Sequence, residues 1–445
     1  MFNGGLVDAA DGADVAAFAG ASWRVLPEGA CAAHLVPQDW REAAAGISVA
    51  VQDVCSSGRS GGRTVAVCGA KGTGKSSFGR LLANSLLNNT AQSVAWLDAD
   101  CGQPEFTCRV FCAGMVSLTY LDRPVYGLPH MHQRKPDQAR FVGHLSAERD
   151  PVAYRGAVQE LLSWHAAHHT SAPLVINTCG WIKGLGFDLL ADLLQNAGPS
   201  HVVLLQTANP RRNLPAEIFW APAGSPAQVP APACVLQLQA VGQLPPAPAA
   251  PAQQLPGAPP APKKLSAAET RSLSWLVWAR EIVGLPTSGI RWEADTLAAT
   301  AMGLASHTPY TVQLSDMTVE VLHASVAPGQ LGYVLNGALV GLCSRAEQAA
   351  EAPDGRPETM CLGVGIIRAV DIAAGRAYVL ATLDVEAMQQ VNVLQVGRLE
   401  LPPELLQSGP VVSPYLSTWS IGSAGTGAGA IKSRNNLPRA AQLVG

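Results

Sequence analysis

The sequence predicts an α/β protein, with a parallel sheet flanked by helices and a smaller β-rich domain after it. Three observations carry that prediction. Between Thr64 and Gln206, β-like apolar runs alternate with helically spaced segments, the pattern of strands covered on both faces. A glycine-rich turn, Gly69 to Ser76, separates the first run from the first helical segment. From about 309 to 402 the texture changes to short β-rich runs separated by turn residues.

The composition fits such a chain and excludes several classes. A length of 445 residues suggests about three domains. Charged residues are 14%, against roughly a quarter in an average soluble protein, and the net charge is −3. No chain-wide basic field therefore advertises nucleic acid, and any polyanion site must be local. The 10 cysteines are scattered without CxxC pairs, as expected of free thiols in a reducing compartment. The N-terminus lacks a basic start, and no apolar run approaches the roughly 20 residues of a membrane helix. The chain is expected to be soluble and unsecreted, with no membrane partner. No Lys/Arg cluster marks nuclear import.

Residues 1–62 are Ala/Gly-rich with weak periodicity, apart from a stretch around Trp40 and Ile47, and are expected to be an appendage. Residues 63–285 form the α/β unit. TVAVC (64 to 68) reads as its first strand, and Lys75 to Leu87 as a helix through Phe78, Leu81, Leu82 and Leu86. SVAWLD (93 to 98) is a second strand. Asp150-Pro151 opens a helix as N-cap and N1, with Val158, Leu161, Leu162 and His165 on one face. PLVINT (173 to 178), Leu185 to Leu194 and HVVLLQ (201 to 206) continue the alternation. A proline-rich insert at about 221–263, with eight prolines between 245 and 262, cannot bury a core. Ser266 to Glu269 has capping-box spacing ahead of Leu273, Leu276, Val277 and Val283, so a helix begins there. Residues 290–405 form the β-rich domain, and 406–445 a tail expected to be disordered.

Gly69, Ala70, Lys71, Gly72, Thr73, Gly74, Lys75 and Ser76 fit G-x-x-x-x-G-K-[ST], between a strand and a helix, which is the context a P-loop requires; Ser77 follows. Its glycines let backbone N–H groups converge on phosphate oxygens and the helix N-terminus adds its dipole. Lys75 reaches the β/γ-phosphates, and the Ser76 hydroxyl can ligate Mg²⁺. The next strand ends in Asp98-Ala99-Asp100-Cys101-Gly102-Gln103, delivering two carboxylates to the edge of a parallel sheet where ligands bind. Asp98 and Asp100 are expected to point the same way. One would act on the metal or its water shell, the other on an acceptor hydroxyl. Capping of a turn is the other use of aspartates at a strand end.

With LDADCGQPEFT (97 to 107), VSLT (116 to 119), FVGHLSAERDPVAY (141 to 154) and INTCGWIKGLG (176 to 186), the chain resembles the polynucleotide 5′-hydroxyl kinases of eukaryotic RNA processing. YTVQLSDMTVEVLH, YVLNGALVGLC, CLGVGIIRAVDI and VNVLQVGRLELP extend the resemblance to the branch acting in the nucleolus on pre-rRNA spacers. It implies an ATP- and Mg²⁺-dependent transfer to the 5′-hydroxyl of RNA or single-stranded DNA, a processing nuclease as partner, and a nuclear, nucleolar location. Asp100 matches the position on the acceptor hydroxyl and metal-water shell, with Ser76, and Gln103 is its helper; Asp98 is the other catalytic candidate. Thr178, Cys179, Gly180 and Trp181 match a clasp on the polynucleotide end, with Lys183 following. Trp181 would stack on the terminal base, a sequence-tolerant contact of about 1–3 kcal/mol, or else pack in the core.

The resemblance also implies a lid with arginines over the transferring phosphates. Arg271 is the candidate, and Arg280, nine positions on, falls on the opposite helix face. Arg211-Arg212 is the alternative. His130, His132, Arg134, Lys135 and Arg140 could line a basic groove or an exposed loop. Cys101, Cys108, Cys112, His130 and His132 fit no common zinc spacing, and His168-His169 read as complements of a helix dipole. Two departures stand out: Cys108 to Gly114 replaces a Pro-Pro-Gly turn beside the site, and about 60 residues stand where relatives carry a larger N-terminal domain. Two other classes stay open: a catalytically weak ATP-binding scaffold, and a P-loop kinase or ligase acting on a small molecule.

Overall fold

Apolar side chains occupy every interior position of the first sheet's central strands, and the layers follow from that. The computed structural model describes residues 36–57, 63–89, 93–106, 113–126, 134–169, 171–220, 234–241, 265–287, 290–349 and 355–411. Expectations for residues 1–35, Cys108, Cys112, His130, His132, most of the proline-rich stretch and the tail beyond 411 lie outside them.

The first unit runs α1 (Gln38–Ser56), β1 (Thr64–Gly69), α2 (Lys75–Asn89), β2 (Val94–Asp98), β3 (Met115–Leu121), β4 (Gln138–Phe141), α3 (Pro151–His168), β5 (Leu174–Asn177), α4 (Leu185–Ala197), β6 (His201–Gln206) and β7 (Cys234–Gln239). Its seven strands lie in the order β4-β3-β2-β5-β1-β6-β7. From β2 to β7 the neighbours are parallel, as expected, whereas β3 and β4 add an antiparallel edge. Antiparallel neighbours need no crossover helix, which is why this edge is absent from the alternation. α3 and α4 cover one face through Tyr154, Leu161, Leu190 and Leu193. α1 and α2 cover the other through Trp40, Ile47, Val51, Phe78 and Leu82.

Three expectations change. α1 is a core element, not an appendage: Trp40, Ala44, Ile47, Ser48 and Val51 are buried, and the Trp40 ring meets Phe78 edge-on at 5.4 Å. Burial of each large apolar side chain contributes about 1.5–3 kcal/mol, which holds this Ala-rich helix against the sheet. Inside the stretch read as a proline-rich insert, CVLQLQ forms β7, pairing with β6 from His201 to Gln206 and burying Leu238. The third change concerns α5 (Ala267–Ile282), whose capping box forms as expected, Ser266 and Glu269 each bonding the other's backbone N–H. Its Trp275, Leu276, Trp278, Ala279 and Ile282 enter the second core, so by packing it belongs to the C-terminal unit.

That unit continues with α6 (Ala294–Ser306), β8 (Tyr310–Gln313), β9 (Thr318–Val321), β10 (Leu339–Ser344), β11 (Met360–Asp371), β12 (Arg376–Ala381) and β13 (Val393–Val396). The six-stranded order is β8-β12-β11-β10-β13-β9, antiparallel except for β13 with β9. The two units pack closely at β4. A Cβ on Gly341 would stand 2.7 Å from the Phe141 ring, and one on Gly397 would stand 2.3 Å from the Gly143 backbone. Arg140 is buried in this seam, paired with Glu160 and, at 2.8 Å, with Glu358 of the C-terminal unit. It is therefore a structural pivot, not the lining of an open basic groove.

Candidate active site

β1 ends at Gly69 and α2 begins at Lys75, so the loop between them stands at the C-terminal edge of the sheet. Gly72 and Gly74 have φ of 80° and 99°, which side chains rarely adopt. Gly74 is doubly constrained, since a Cβ there would stand 2.7 Å from the Trp40 ring. Within the loop, the Thr73 hydroxyl donates to the Ala70 carbonyl at 2.9 Å, and so does Lys75 Nζ at 3.2 Å. Burial pulls the Lys75 ammonium below its ordinary value, and the Asp100 charge opposes that shift. Ser76 and Ser77 open α2, half-buried, while Lys71 is exposed at the loop's apex.

The two aspartates after β2 do different things. Asp98 is buried; its carboxylate accepts from the Glu105 N–H and, at 3.1 Å, from Asn177 Nδ2. Burial pushes it up to about 8, helped by Asp100 and Glu105 and opposed by those two hydrogen bonds. Asp100 is half-buried and accepts from the N–H groups of Gly102 at 3.0 Å and Gln103 at 3.1 Å, which closes the turn. So Asp98 is fixed beneath the surface while Asp100 stays accessible above it. Tyr154 holds the loop from below, its hydroxyl donating to the Ala99 carbonyl at 2.8 Å.

Sequence reasoning missed Asn177. β5 lies between β1 and β2, with Asn177 in register with Val67 on one side and Asp98 on the other. The Ser76 hydroxyl donates to Asn177 Oδ1 at 3.5 Å, and Asn177 Nδ2 donates to Asp98. One buried amide thus ties the P-loop serine to the acidic strand end. The signal was the polar residue closing the apolar run PLVIN, at the end of a strand where ligands bind.

The residues expected to form a clasp follow at once. Thr178 is buried and donates to the Val67 carbonyl at 2.8 Å, so it anchors the turn instead of facing a substrate. A Cβ on Gly180 would stand 2.7 Å from Lys71 Cα, so the backbone of this segment rests directly on the P-loop apex. Cys179 lies within electrostatic range of Lys75 and Asp100, and burial raises its thiol. Trp181 is half-buried with its indole against Gly186, while the adjacent Ile182 takes the core position. Lys183 is exposed.

Arg271 reaches the acidic loop, its Nη1 donating to the Gly102 carbonyl at 3.4 Å. Arg280 turns away to Pro286 O at 2.7 Å and Thr300 Oγ1 at 3.2 Å, as the nine-residue spacing requires. Arg212 donates to Lys71 O at 3.0 Å, at the lip of the P-loop. Of the basic run, Arg134 pairs with Asp122 at 3.2 Å and Lys135 is exposed. Cys101 is buried with its thiol raised by burial, and among the described residues no group of three His, Cys, Asp or Glu converges on a metal position. Mg²⁺ needs no such cluster, since it binds through one or two carboxylates, water and substrate phosphates. Ser76 and Asp100 carry oxygen donors of the kind such an ion takes, whereas both Asp98 oxygens are already engaged by Glu105 N–H and Asn177.

Comparison with known proteins agrees with this architecture. Residues 69–219 match the family model of the mRNA cleavage and polyadenylation factor CLP1 P-loop, and 305–402 match the NOL9-like C-terminal domain. The chain is 32% identical over 395 residues to the polynucleotide 5′-hydroxyl-kinase NOL9 of Arabidopsis thaliana, covering 86% of this chain and 95% of that protein. Against the proteins of the same name from Danio rerio and Homo sapiens the identities are 30% and 26%, each covering 80% of this chain. The chain spans 49% and 52% of those two longer proteins. A chain from a solved structure of the Pcf11p–Clp1p interface superposes with a TM-score of 0.52 at 13% identity, over 81% of this chain and 80% of that one, a likeness of fold.

Proposed function

This chain belongs to the polynucleotide 5′-hydroxyl-kinase family, and from that premise we propose that it transfers the γ-phosphate of ATP to the 5′-hydroxyl end of RNA during ribosomal RNA precursor processing. The observation that supports the reading is the close approach of Gly180 to Lys71, which brings the segment read as a polynucleotide clasp against the phosphate loop. Donor and acceptor then meet over Lys75 and Asp100.

The P-loop N–H groups and Lys75 hold the β- and γ-phosphates, and Gly74 lets the backbone close round them. Mg²⁺, when bound, would neutralise charge on the transferring group; Ser76 would hold it directly, with Asp100 acting on its water shell and Asp98 buttressing the turn from beneath. Trp181 stacks on the terminal base, and Lys183 follows at the exposed rim. The 5′ oxygen attacks the γ-phosphorus as the bond to the β,γ-bridging oxygen breaks. Its proton passes to Asp100, the accessible carboxylate, with Gln103 beside it. Arg271, resting on Gly102, is poised to meet the charge on the transferring phosphoryl group. A processing nuclease as partner and action in the nucleolus belong to the same reading.

Transfer of labelled γ-phosphate to a short 5′-hydroxyl RNA tests it. The expected result is labelling lost with Lys75→Ala and absent on 5′-phosphorylated RNA. ATP binding without labelling would instead support the scaffold class, and labelling of a metabolite but no RNA the small-molecule class.

A further inference from the structure

The loop joining β4 to α3 carries the seam between the two units, and it also touches the acidic loop. A Cβ on Gly102 would stand 2.6 Å from the Leu145 carbonyl, so Leu145 lies directly against the turn that holds Asp100. Two residues on, the single turn Ala147–Arg149 packs against α4, the helix that follows the clasp. This loop therefore forms the wall between the acceptor position and the C-terminal unit.

Basic groups gather on that wall. Arg149 comes from the loop, and Arg356 and Arg398 come from the C-terminal unit; all three are exposed. The Arg398 backbone N–H donates to Gly143 O at 2.6 Å and its guanidinium to His323 O at 3.4 Å, which fixes it across the seam. His144 and His323 stand edge-on between them, ring centroids 6.3 Å apart. Burial, then Arg149, His323 and Arg398, lower the His144 value, which places both guanidinium groups within electrostatic range of that ring. His323 Nε2 is buried without a hydrogen-bond partner. Against these cations stand Asp150, which pairs with Arg356 at 3.1 Å and faces His323 at 3.9 Å, and the exposed Glu148. Asp150 answers Arg356, leaving Arg149 and Arg398 as the cations that flank His144.

We propose that Arg149 and Arg398 form a backbone track for the acceptor polynucleotide, binding phosphates a few nucleotides downstream of the 5′ end. The proposal rests on the kinase reading and deepens it. The clasp reads one base by stacking, which gives little grip on a longer chain; a line of guanidinium groups beside the acceptor loop supplies sequence-independent affinity to phosphates. The two units jointly build the track, so it exists only when they are docked.

The test compares a 5′-hydroxyl dinucleotide with an RNA of about twelve nucleotides on the full chain, in kinase turnover and in fluorescence-anisotropy binding. For Arg149→Glu and Arg398→Glu the longer RNA should lose roughly tenfold more kcat/KM than the dinucleotide. Its salt slope should fall by about 0.7 for each phosphate contact removed. Arg149→Lys, which keeps the charge, should retain most of the length advantage. Equal losses on both RNAs, or unchanged binding of the longer RNA, overturn the track and leave the patch to a protein surface. Anisotropy does not depend on turnover, so an inactive wild type would count against the kinase reading while the binding arm still decided the track.

Discussion

Asn177 joins two groups that lie 101 and 79 residues before it in the sequence, and its amide has few alternatives where it sits. Buried between the Ser76 hydroxyl and the Asp98 carboxylate, it uses Oδ1 for one and Nδ2 for the other. Asn177→Ala removes a hydrogen bond that favours the charged Asp98 and frees the serine rotamer. Because such supporting residues tune metal affinity and activity by about 10–100-fold, kcat should fall in that range and the Mg²⁺ requirement rise, with KM for RNA little changed. A Mg²⁺ titration at saturating RNA checks this, and a wild-type profile would remove Asn177 from the site. His165 gives the pH prediction. Its Nδ1 shares a 2.8 Å hydrogen bond with the Tyr120 hydroxyl, and burial, with His169 adding, pulls the imidazole down to about 4. The unfolded chain takes up that proton near 6.5, so this group's contribution is complete above pH 6.5 and is lost as pH falls towards 4. His165→Gln should therefore flatten the decline of Tm between pH 6.5 and 4. Lys75 and Ser76 were legible as candidates because a phosphate loop needs them at fixed local spacing, and Asp100 was chosen over Asp98 by the family resemblance; Asn177 was not legible, since its role depends on which strands become neighbours. Thr178 was legible as part of a motif, yet only the Val67 bond reveals it as an anchor.

α1 shows how an element with weak periodicity can still be required. Its Trp40 lies over Gly74, meets Phe78 edge-on and donates from Nε1 to Gln239 O at 2.9 Å, linking the phosphate loop to the edge strand β7. Trp40→Ala leaves a cavity costing about 3–5 kcal/mol and frees the P-loop glycine from its cover. The measurable outcome is a lower Tm together with a raised KM for ATP, and a Tm loss alone would confine α1 to packing. Trp40→Phe, which keeps most of the ring, should recover much of both. Trp40 and Ile47 stood out in the sequence, but the Ala-rich stretch round them carried too little apolar contrast to mark a core helix. β7 was hidden for a similar reason, six strand-like residues inside a proline-rich background. By contrast, α3 and α5 were legible at their first residues, because N-caps are local chemistry: Asp150 accepts from Ala153 N and Ser266 from Glu269 N. Where α5 packs was not legible, since the capping box fixes its start and not its neighbours.

At the scale of the molecule, the acidic loop is held from both units: Arg271 on α5 reaches Gly102, and Leu145 of the seam loop rests on the same glycine. Docking of the β-rich unit is therefore coupled to the geometry of Asp100, and Arg140 is where that docking concentrates. The guanidinium is buried, bonded to Glu160 on α3 and to Glu358 beside β11. In sequence it was one cation in a basic run; only the crossing of two sheets turns it into a pivot. Removing one partner of a buried ion pair costs about 3–5 kcal/mol, because the remaining charge stays desolvated. Arg140→Met removes the buried guanidinium from between Glu160 and Glu358 and should weaken the seam more than either core. Calorimetry of the wild type should show one cooperative transition, and Arg140→Met should split it into two, with kinase activity falling although the P-loop is untouched. Replacing the partner as well, Arg140→Met with Glu160→Leu, should restore much of the stability by removing the buried carboxylate that faced the guanidinium. If Arg140→Met lowers a single transition without splitting it, the triad stabilises the fold as a whole and the units are not joined chiefly there.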